Sequence, residues 1–299
     1  MYLRKVFYRR KILLALIQVF ENELDKIRLQ KLLFLYSRHK QGPEYDFVPY
    51  KYGCYSFSAN ADLTALSKKG ILAETESSFR KIDETDYLKE LKSLDREKIK
   101  ELKELYGKMS ANSLMIHTYI NYPFWATKSI RAKDILKDVF YQRVLNSKPH
   151  SEEIVLYTIG YEGISLEEYL VRLIKNDVKI LVDVRRNPLS MKYGFSKTSL
   201  QKFCKSLDIE YIHFPEVGIQ SDERQELSCQ SDYDKLFDNY KLNNLPNTIE
   251  VQEKILNLLT EHKRIALTCF EANICQCHRK HLAEAITNNP KFTYELKHI

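Results

Sequence analysis

Residues 269–286 read CFEANICQCHRKHLAEAI, and six residues able to do chemistry fall in the first eleven positions: Cys269, Glu271, Cys275, Cys277, His278 and Arg279. Three chemistries compete for them. Cys269, Cys275, Cys277 and His278 carry the atoms of a zinc site, but a one-residue gap followed by an adjacent pair is not a two-residue knuckle, and a second knuckle is missing. No metal is therefore assigned. A nucleophilic thiol is the second chemistry, with Cys277, and Cys269 as a further thiol. Cys277 precedes a predicted helix beside His278 and Arg279, and helix N-termini and cations both lower a thiol pKa. The third makes His278 and Arg279 an anion-binding pair with Glu271 as the reacting carboxylate. Glu271 ends a buried strand, where desolvation raises a carboxyl pKa into a useful range. The cysteines are then small packing residues.

Other strand ends offer matching groups. TIGYEG (158–163) supplies Tyr161 and Glu162. LVDVRRNPLSMKYGFSK (181–197) supplies Asp183, Arg185, Arg186, Asn187, Lys192 and Lys197. YIHFPEVG (211–218) adds His213 and Glu216. Asp183 and Arg185 stand two apart on a strand and so share a face, either as a structural ion pair or as a carboxylate orienting an arginine that holds an anion. Asp183, Glu271 and Glu162 are the candidate acid/base groups. Arg185, Arg186, Asn187, Lys192, Lys197, His278 and Arg279 are the candidate phosphate holders, and Tyr161 is a candidate stacking surface for a base.

The elements that must position these groups alternate. IVLYTIG, VKILVDVR, IEYIHFP and KRIALTCFE read as strands. SLEEYLVRLIKN, KTSLQKFCKSLD, DKLFDNYKL, EVQEKILNLLTEH and HRKHLAEAITN read as helices, the first with Ser165 as N-cap and Glu168 at the capping-box position. The expected fold class is α/β, a parallel Rossmann-like sheet with helices on both faces, with ligands beyond the carboxyl ends of its strands.

Ahead of it lies a mostly helical half. Apolar residues from Ile12 to Val19 and from Leu29 to Leu35 space as helical faces, separated by a charged break. Phe47–Tyr55 is aromatic and turn-like, a helix is predicted over Ala61–Lys69, and Gly70 stops it. Residues 82–110 read as a solvated helix or helical hairpin. Ser110 or Asn112 caps a further helix ending at Tyr122–Pro123. Tyr119, Tyr122, Phe124 and Trp125 read as a core-closing cluster rather than a base-stacking platform. The succession helix, turn, helix, short hairpin is winged-helix-like. The domains are expected at 1–148 and 149–299, joined at the polar LNSKPHSEEI.

The chain has 299 residues, 44% of them hydrophobic, with a formal charge of +7, which permits a polyanionic partner without demonstrating one. Six cysteines are too few for a secreted disulfide scaffold, and ENELDKIR stands where a signal-peptide cleavage site would need small residues. A cytoplasmic, reduced protein without membrane segments is expected.

TIGYEG, LVDVRRNPLSMKYGFSK, YIHFPEVG and ALTCFEANICQCHRKHLAEAI resemble, in order and spacing, a bacterial family catalogued as domain of unknown function 488, over about residues 154–290. The resemblance implies an α/β fold in a bacterial intracellular setting. The family usually shows Ser-Arg or a similar basic pair before the Gly-Phe-Ser-Lys turn. Met191-Lys192-Tyr193 stand here, which keeps a charge at Lys192 and loses bidentate grip. KLLFLY and GPEYDFVPYKYGCYSFSANADLTALSKKGIL resemble winged-helix-like modules found beside toxin–antitoxin and defence proteins. The layout around Cys277 looks superficially like rhodanese and cysteine-phosphatase loops, but one residue between Cys277 and Arg279, in a loop without glycine, makes no cradle.

The resulting expectation is an enzyme acting on nucleic acid, DNA above all, or on nucleotides, by base-removing N-glycosidic chemistry, without a cofactor, in an antiphage defence role. Two alternatives stay open. One is a non-catalytic sensor for modified nucleic acid or a small anion, and the other is a thiol-dependent enzyme using Cys277.

Overall fold

The computed structural model describes residues 6–220, 223 and 229–299. Its contacts divide the chain into two compact units, Met1–Lys148 and Pro149–Ile299. Among the described residues no helix is long and apolar enough to cross a membrane.

The first unit runs α1 (Tyr8–Val19), β1 (Glu23–Asp25), α2 (Lys26–Arg38), β2 (Val48–Tyr50), β3 (Gly53–Tyr55), α3 (Phe57–Lys68), β4 (Leu72–Glu74), β5 (Ser78–Lys81), α4 (Ser93–Tyr106), α5 (Ala111–Asn121), α6 (Ala132–Ile135) and α7 (Asp138–Asn146). Leu13, Leu16, Leu29, Leu33, Phe34 and Leu66 are buried together. The charged break between the first two helices is strand β1, antiparallel to β5, and the sheet order is β1-β5-β4. Three mostly polar residues give no alternation to read, so only pairing reveals this strand.

Two expected boundaries move. Helix α3 starts at Phe57 rather than Ala61 because the Ser56 hydroxyl accepts from the Ala59 amide and caps it four residues earlier. The turn-like Phe47–Tyr55 is a β2–β3 hairpin. Residues 82–110 hold one helix, α4, whose inner face carries Asp95, Ile99 and Leu102. The Asp95 carboxylate accepts from the Tyr8 and Tyr36 hydroxyls and pairs with Lys40, so this helix is tied down rather than merely solvated. Ser110 caps α5, and Tyr119 beyond it is buried. Tyr122 and Trp125 lie edge-on to Phe34 and close the core.

The second unit runs β6 (Val155–Gly160), α8 (Leu166–Lys175), β7 (Ile180–Asp183), α9 (Lys197–Lys205), β8 (Glu210–His213), α10 (Gln230–Asn239), α11 (Ile249–His262), β9 (Arg264–Cys269), α12 (His278–Thr287) and β10 (Glu295–His298). All five strands are parallel, in the order β10-β6-β9-β7-β8. Ser165 caps α8 by accepting from the Glu168 amide. Strands β6, β7 and β9 are buried throughout, as a sheet covered on both faces requires.

The two-residue period of a strand sorts the side chains of β7 and β9. Ile180, Val182, Ile265, Leu267 and Cys269 pack with Leu259, Leu282 and Ile286 from α11 and α12. Thr268 turns the other way, where the Tyr169 hydroxyl of α8 donates to it at 2.7 Å.

Gly53 shows how tightly the first unit is closed. Its φ is +88°, and an added Cβ would lie 2.4 Å from the ring of buried Tyr119. Gly53→Ala is expected to destabilise this unit by about 2 kcal/mol or more, from positive φ and overpacking together. Trp125, the single tryptophan and a first-unit residue, makes urea unfolding followed by fluorescence the direct measurement. An unchanged midpoint would contradict the packing described.

Candidate functional site

Register brings the strand ends to one rim. Gly160 pairs with Cys269, Asp183 with Thr268, and Asp183 with His213. Beyond this rim lies a hollow of about 350 Å³ lined by Tyr161, Arg185, Arg186, Asn187, Ser190, Cys269 and Phe270, with Leu189, Met191 and Ile219 completing it. Gly160 belongs to the construction. A Cβ there would lie 1.9 Å from the Glu271 carbonyl oxygen, so only glycine lets the chain after β9 cross the end of β6.

Arg185 is the buried cation of the hollow. Its Nε donates to Asp183 Oδ1 at 2.9 Å, its Nη1 to the Tyr161 hydroxyl at 2.7 Å and to the Phe195 carbonyl at 2.9 Å, and its Nη2 to Asp183 Oδ2. The Tyr211 hydroxyl donates to the same Asp183 oxygen at 2.6 Å, and the Arg185 amide to the other. Burial alone lowers the pKa of Arg185, yet the bonds and charge of Asp183, with Tyr161, hold it above the ordinary arginine value. Burial, then the charge and bond of Asp183, likewise raises the Tyr211 hydroxyl. The guanidinium is thus permanently charged and fixed in plane.

Asp183 itself is fully buried and does not line the hollow. Its oxygens are spent on Arg185 and Tyr211, so its place is that of the orienting carboxylate, not of an acid/base group meeting a ligand. Tyr161 touches the hollow, but Phe195 stacks on its ring at 4.2 Å and 9°, taking a face that a base would need. Phe270, edge-on to Tyr161 and 43% exposed, is the better stacking surface.

A second cluster lies on the opposite face, as alternation along β9 dictates. Cys269 Sγ donates to Glu271 Oε2 at 3.1 Å and lies 3.7 Å from His278 Nδ1. Sγ of Cys269, Sγ of Cys277 and a ring nitrogen of His278 all fall within 4.8 Å of one another. Cys275, which makes the one-residue gap before Cys277, is exposed and outside this group.

Several expected anion holders have other tasks. His278 is buried and its Nε2 bonds the Val184 carbonyl at 3.0 Å. Buried Arg279 donates from Nη1 and Nη2 to the Glu271 and Ala272 carbonyls. The pair therefore braces backbone and faces no anion. Lys192 donates to the Tyr161 carbonyl at 2.6 Å, and desolvation lowers its pKa. Lys197 donates to His213 Nδ1 at 3.0 Å, away from the hollow's lining. Exposed Glu162 accepts from the Ala272 amide at 3.0 Å and ties two rim loops together. Cys277 is buried, and burial, then Cys269, pushes its thiol well above the ordinary value, the opposite of an activated nucleophile.

Of the phosphate candidates, Arg185, Arg186 and Asn187 line the hollow, the latter two exposed. Residues 165–286 match the model of a family described as Domain of unknown function DUF488. None of the curated proteins matches the chain. The DUF488 match takes in the arginine turn, Phe195, Tyr211 and the Cys269–Arg279 segment, and Tyr161 lies just ahead of it.

Sequence reasoning missed Tyr211, Phe195 and Phe270. A signal existed for Tyr211. It stands two residues before His213 on β8, so the Asp183–His213 register puts it on the face of Asp183. Phe195 and Phe270 had none, because loop closure alone brings them in.

Removing one member of a buried ion pair costs far more than trimming its support. Asp183→Asn is expected to destabilise the second unit by about 3–5 kcal/mol, and Tyr211→Phe by about 1.5–3 kcal/mol, the worth of a hydrogen bond to a charged group. Amide hydrogen exchange in β7 and β9 measures both. Equal protection in wild type and Asp183→Asn would refute the clamp.

Proposed function

We propose that the second unit binds the phosphate of a nucleotide or of nucleic acid in the hollow and acts on the adjoining N-glycosidic bond. One observation carries this reading: Arg185, charged and fixed by Asp183, lies in a hollow it shares with exposed Arg186 and Asn187. A preorganised guanidinium with further donors beside it suits a phosphate better than a scattered basic surface does. Exposed Phe270, Leu189 and Met191 offer apolar cover for the flat part of such a ligand. Glu271, bonded to Cys269 at the same strand end, is the acid/base candidate that remains beside the hollow.

In this reading the first unit is winged-helix-like and engages nucleic acid, in a bacterial defence setting. Helix, strand, helix, the β2–β3 hairpin, helix and two strands in succession, with sheet order β1-β5-β4, support the winged-helix assignment. The formal charge of +7 over the whole chain permits a polyanion.

A sensor without catalysis is favoured by one observation. No carboxylate is among the described residues lining the hollow.

The readings separate on two substitutions in the full chain. Arg186→Gln is expected to weaken binding of a fluorescent DNA duplex about tenfold, the loss of one charge-assisted contact, in an anisotropy titration at fixed salt. Glu271→Gln is expected to abolish release of free base, read by chromatography, while binding stays within about twofold of wild type. Binding without base release by the wild-type chain supports the sensor, and undiminished binding by Arg186→Gln overturns the phosphate site itself.

A further inference from the structure

We propose that Cys269, Cys277 and His278 form a resident site for a thiophilic divalent metal ion of the zinc type. The site stands independently of the ligand that the hollow takes. Two sulfurs and one imidazole nitrogen lie within 4.8 Å of one another, and all three side chains are buried. Zinc bonds of about 2.3 Å to sulfur and 2.0–2.1 Å to nitrogen imply a tetrahedral sulfur–nitrogen edge of roughly 3.5 Å. Cys269 Sγ and His278 Nδ1 are 3.7 Å apart, so an ion needs almost no rearrangement of this edge.

The imidazole gives a second, independent argument. A carbonyl oxygen only accepts, so His278 Nε2 must carry the proton it shares with Val184 at 3.0 Å. In the neutral ring that assignment leaves the lone pair on Nδ1, the nitrogen on the Cys269 side. Metal-bound histidines are oriented in this way, with the far nitrogen donating to a backbone carbonyl.

Ligand type selects the ion. Two thiolates and an imidazole suit zinc and exclude magnesium and calcium, which take oxygen. Charge agrees. A divalent cation neutralises two thiolates in a pocket walled by the apolar α11–α12 side of the sheet. Three protein ligands leave a tetrahedral ion one further position. The Glu271 carboxylate, 3.1 Å from Cys269 Sγ, stands beside the group, and Cys269 also lines the hollow. The ion would thus border the hollow and join the end of β9, the start of α12 and, through His278, the Val184–Arg185 turn.

Seven residues lie between Cys269 and Cys277, and the short knuckle that includes Cys275 is not used. This supplies the control. Tag-free full-length protein, purified under reductant without chelator and equilibrated with excess zinc before desalting, is expected to hold about one ion per chain by mass spectrometry of the metal. Cys269→Ser, Cys277→Ser and His278→Ala are each expected to hold less than a tenth of that, and Cys275→Ser the full amount.

Because buried variants can fail to fold, the wild-type chain carries a second test. Cobalt(II) in place of zinc is expected to give thiolate-to-metal charge-transfer absorption in the near ultraviolet, and the zinc-loaded chain to melt at a higher temperature than the stripped one. Three results would each overturn the site: a wild-type chain that retains no ion, a Cys277→Ser chain that retains as much as wild type, or peptide mapping that finds Cys269 and Cys277 joined in a disulfide in the chain purified under reductant.

Discussion

The rim of the parallel sheet is organised by a charge that cannot be left alone. Arg185 is buried, and a buried guanidinium without a partner is costly by several kcal/mol. Asp183 meets that requirement two residues away on the same face. The pair draws in what surrounds it. Tyr211 reaches across from β8 to the carboxylate, the Phe195 carbonyl is held against the guanidinium, and Tyr161 accepts from the arginine through its hydroxyl while its ring stacks on Phe195. A buried ion pair adds little net stability over well-packed apolar residues, while breaking it is expensive. Its effect here is conformational. It fixes where the 185–195 turn runs and thereby where the hollow opens.

The two faces of the sheet are joined at one peptide. Val184 turns its side chain toward the α11–α12 core, and its carbonyl bonds His278, while the next residue sends its side chain to the other face as Arg185. A displacement of His278 is therefore felt by the arginine without any contact between their side chains. Arg279 extends the brace by holding the Glu271 and Ala272 carbonyls. The loop after β9 is thus fixed from behind, and the residue it presents to the hollow is Phe270.

Much of this frame is legible in the sequence. The run from Val178 to Val182 marks a strand buried on both faces, Ser165 and Glu168 mark a helix start, and the spacing of Asp183 and Arg185 places them on one face. Strand β10 escapes notice because Glu295–His298 is an edge strand of mostly exposed residues with no apolar run. The site was harder to read than the fold for a related reason. Sequence shows which groups have charge, not which backbone carbonyls lack a donor. His278 and Arg279 look like anion holders until the loop carbonyls they satisfy are seen. The cysteines differ again between spacing and position. Local spacing rejects a zinc knuckle, whereas the donor atoms that meet come from a strand end and a helix start.

In the proposed function, binding and chemistry accordingly fall to different residues at this rim. The arginines and Asn187 line the hollow with exposed Phe270, Leu189 and Met191, a surface suited to an anion with a flat apolar part. The carboxylates stand behind it: Asp183 orients the arginine, Glu162 ties loops, and Glu271 sits against Cys269. An acid/base role for Glu271 then requires the ligand to extend past Phe270 to the end of β9. That is also the direction in which the two thiols and His278 lie. In the proposed function, position along β9, more than the list of ionisable groups, therefore decides whether the hollow would only recognise a ligand or also transform it.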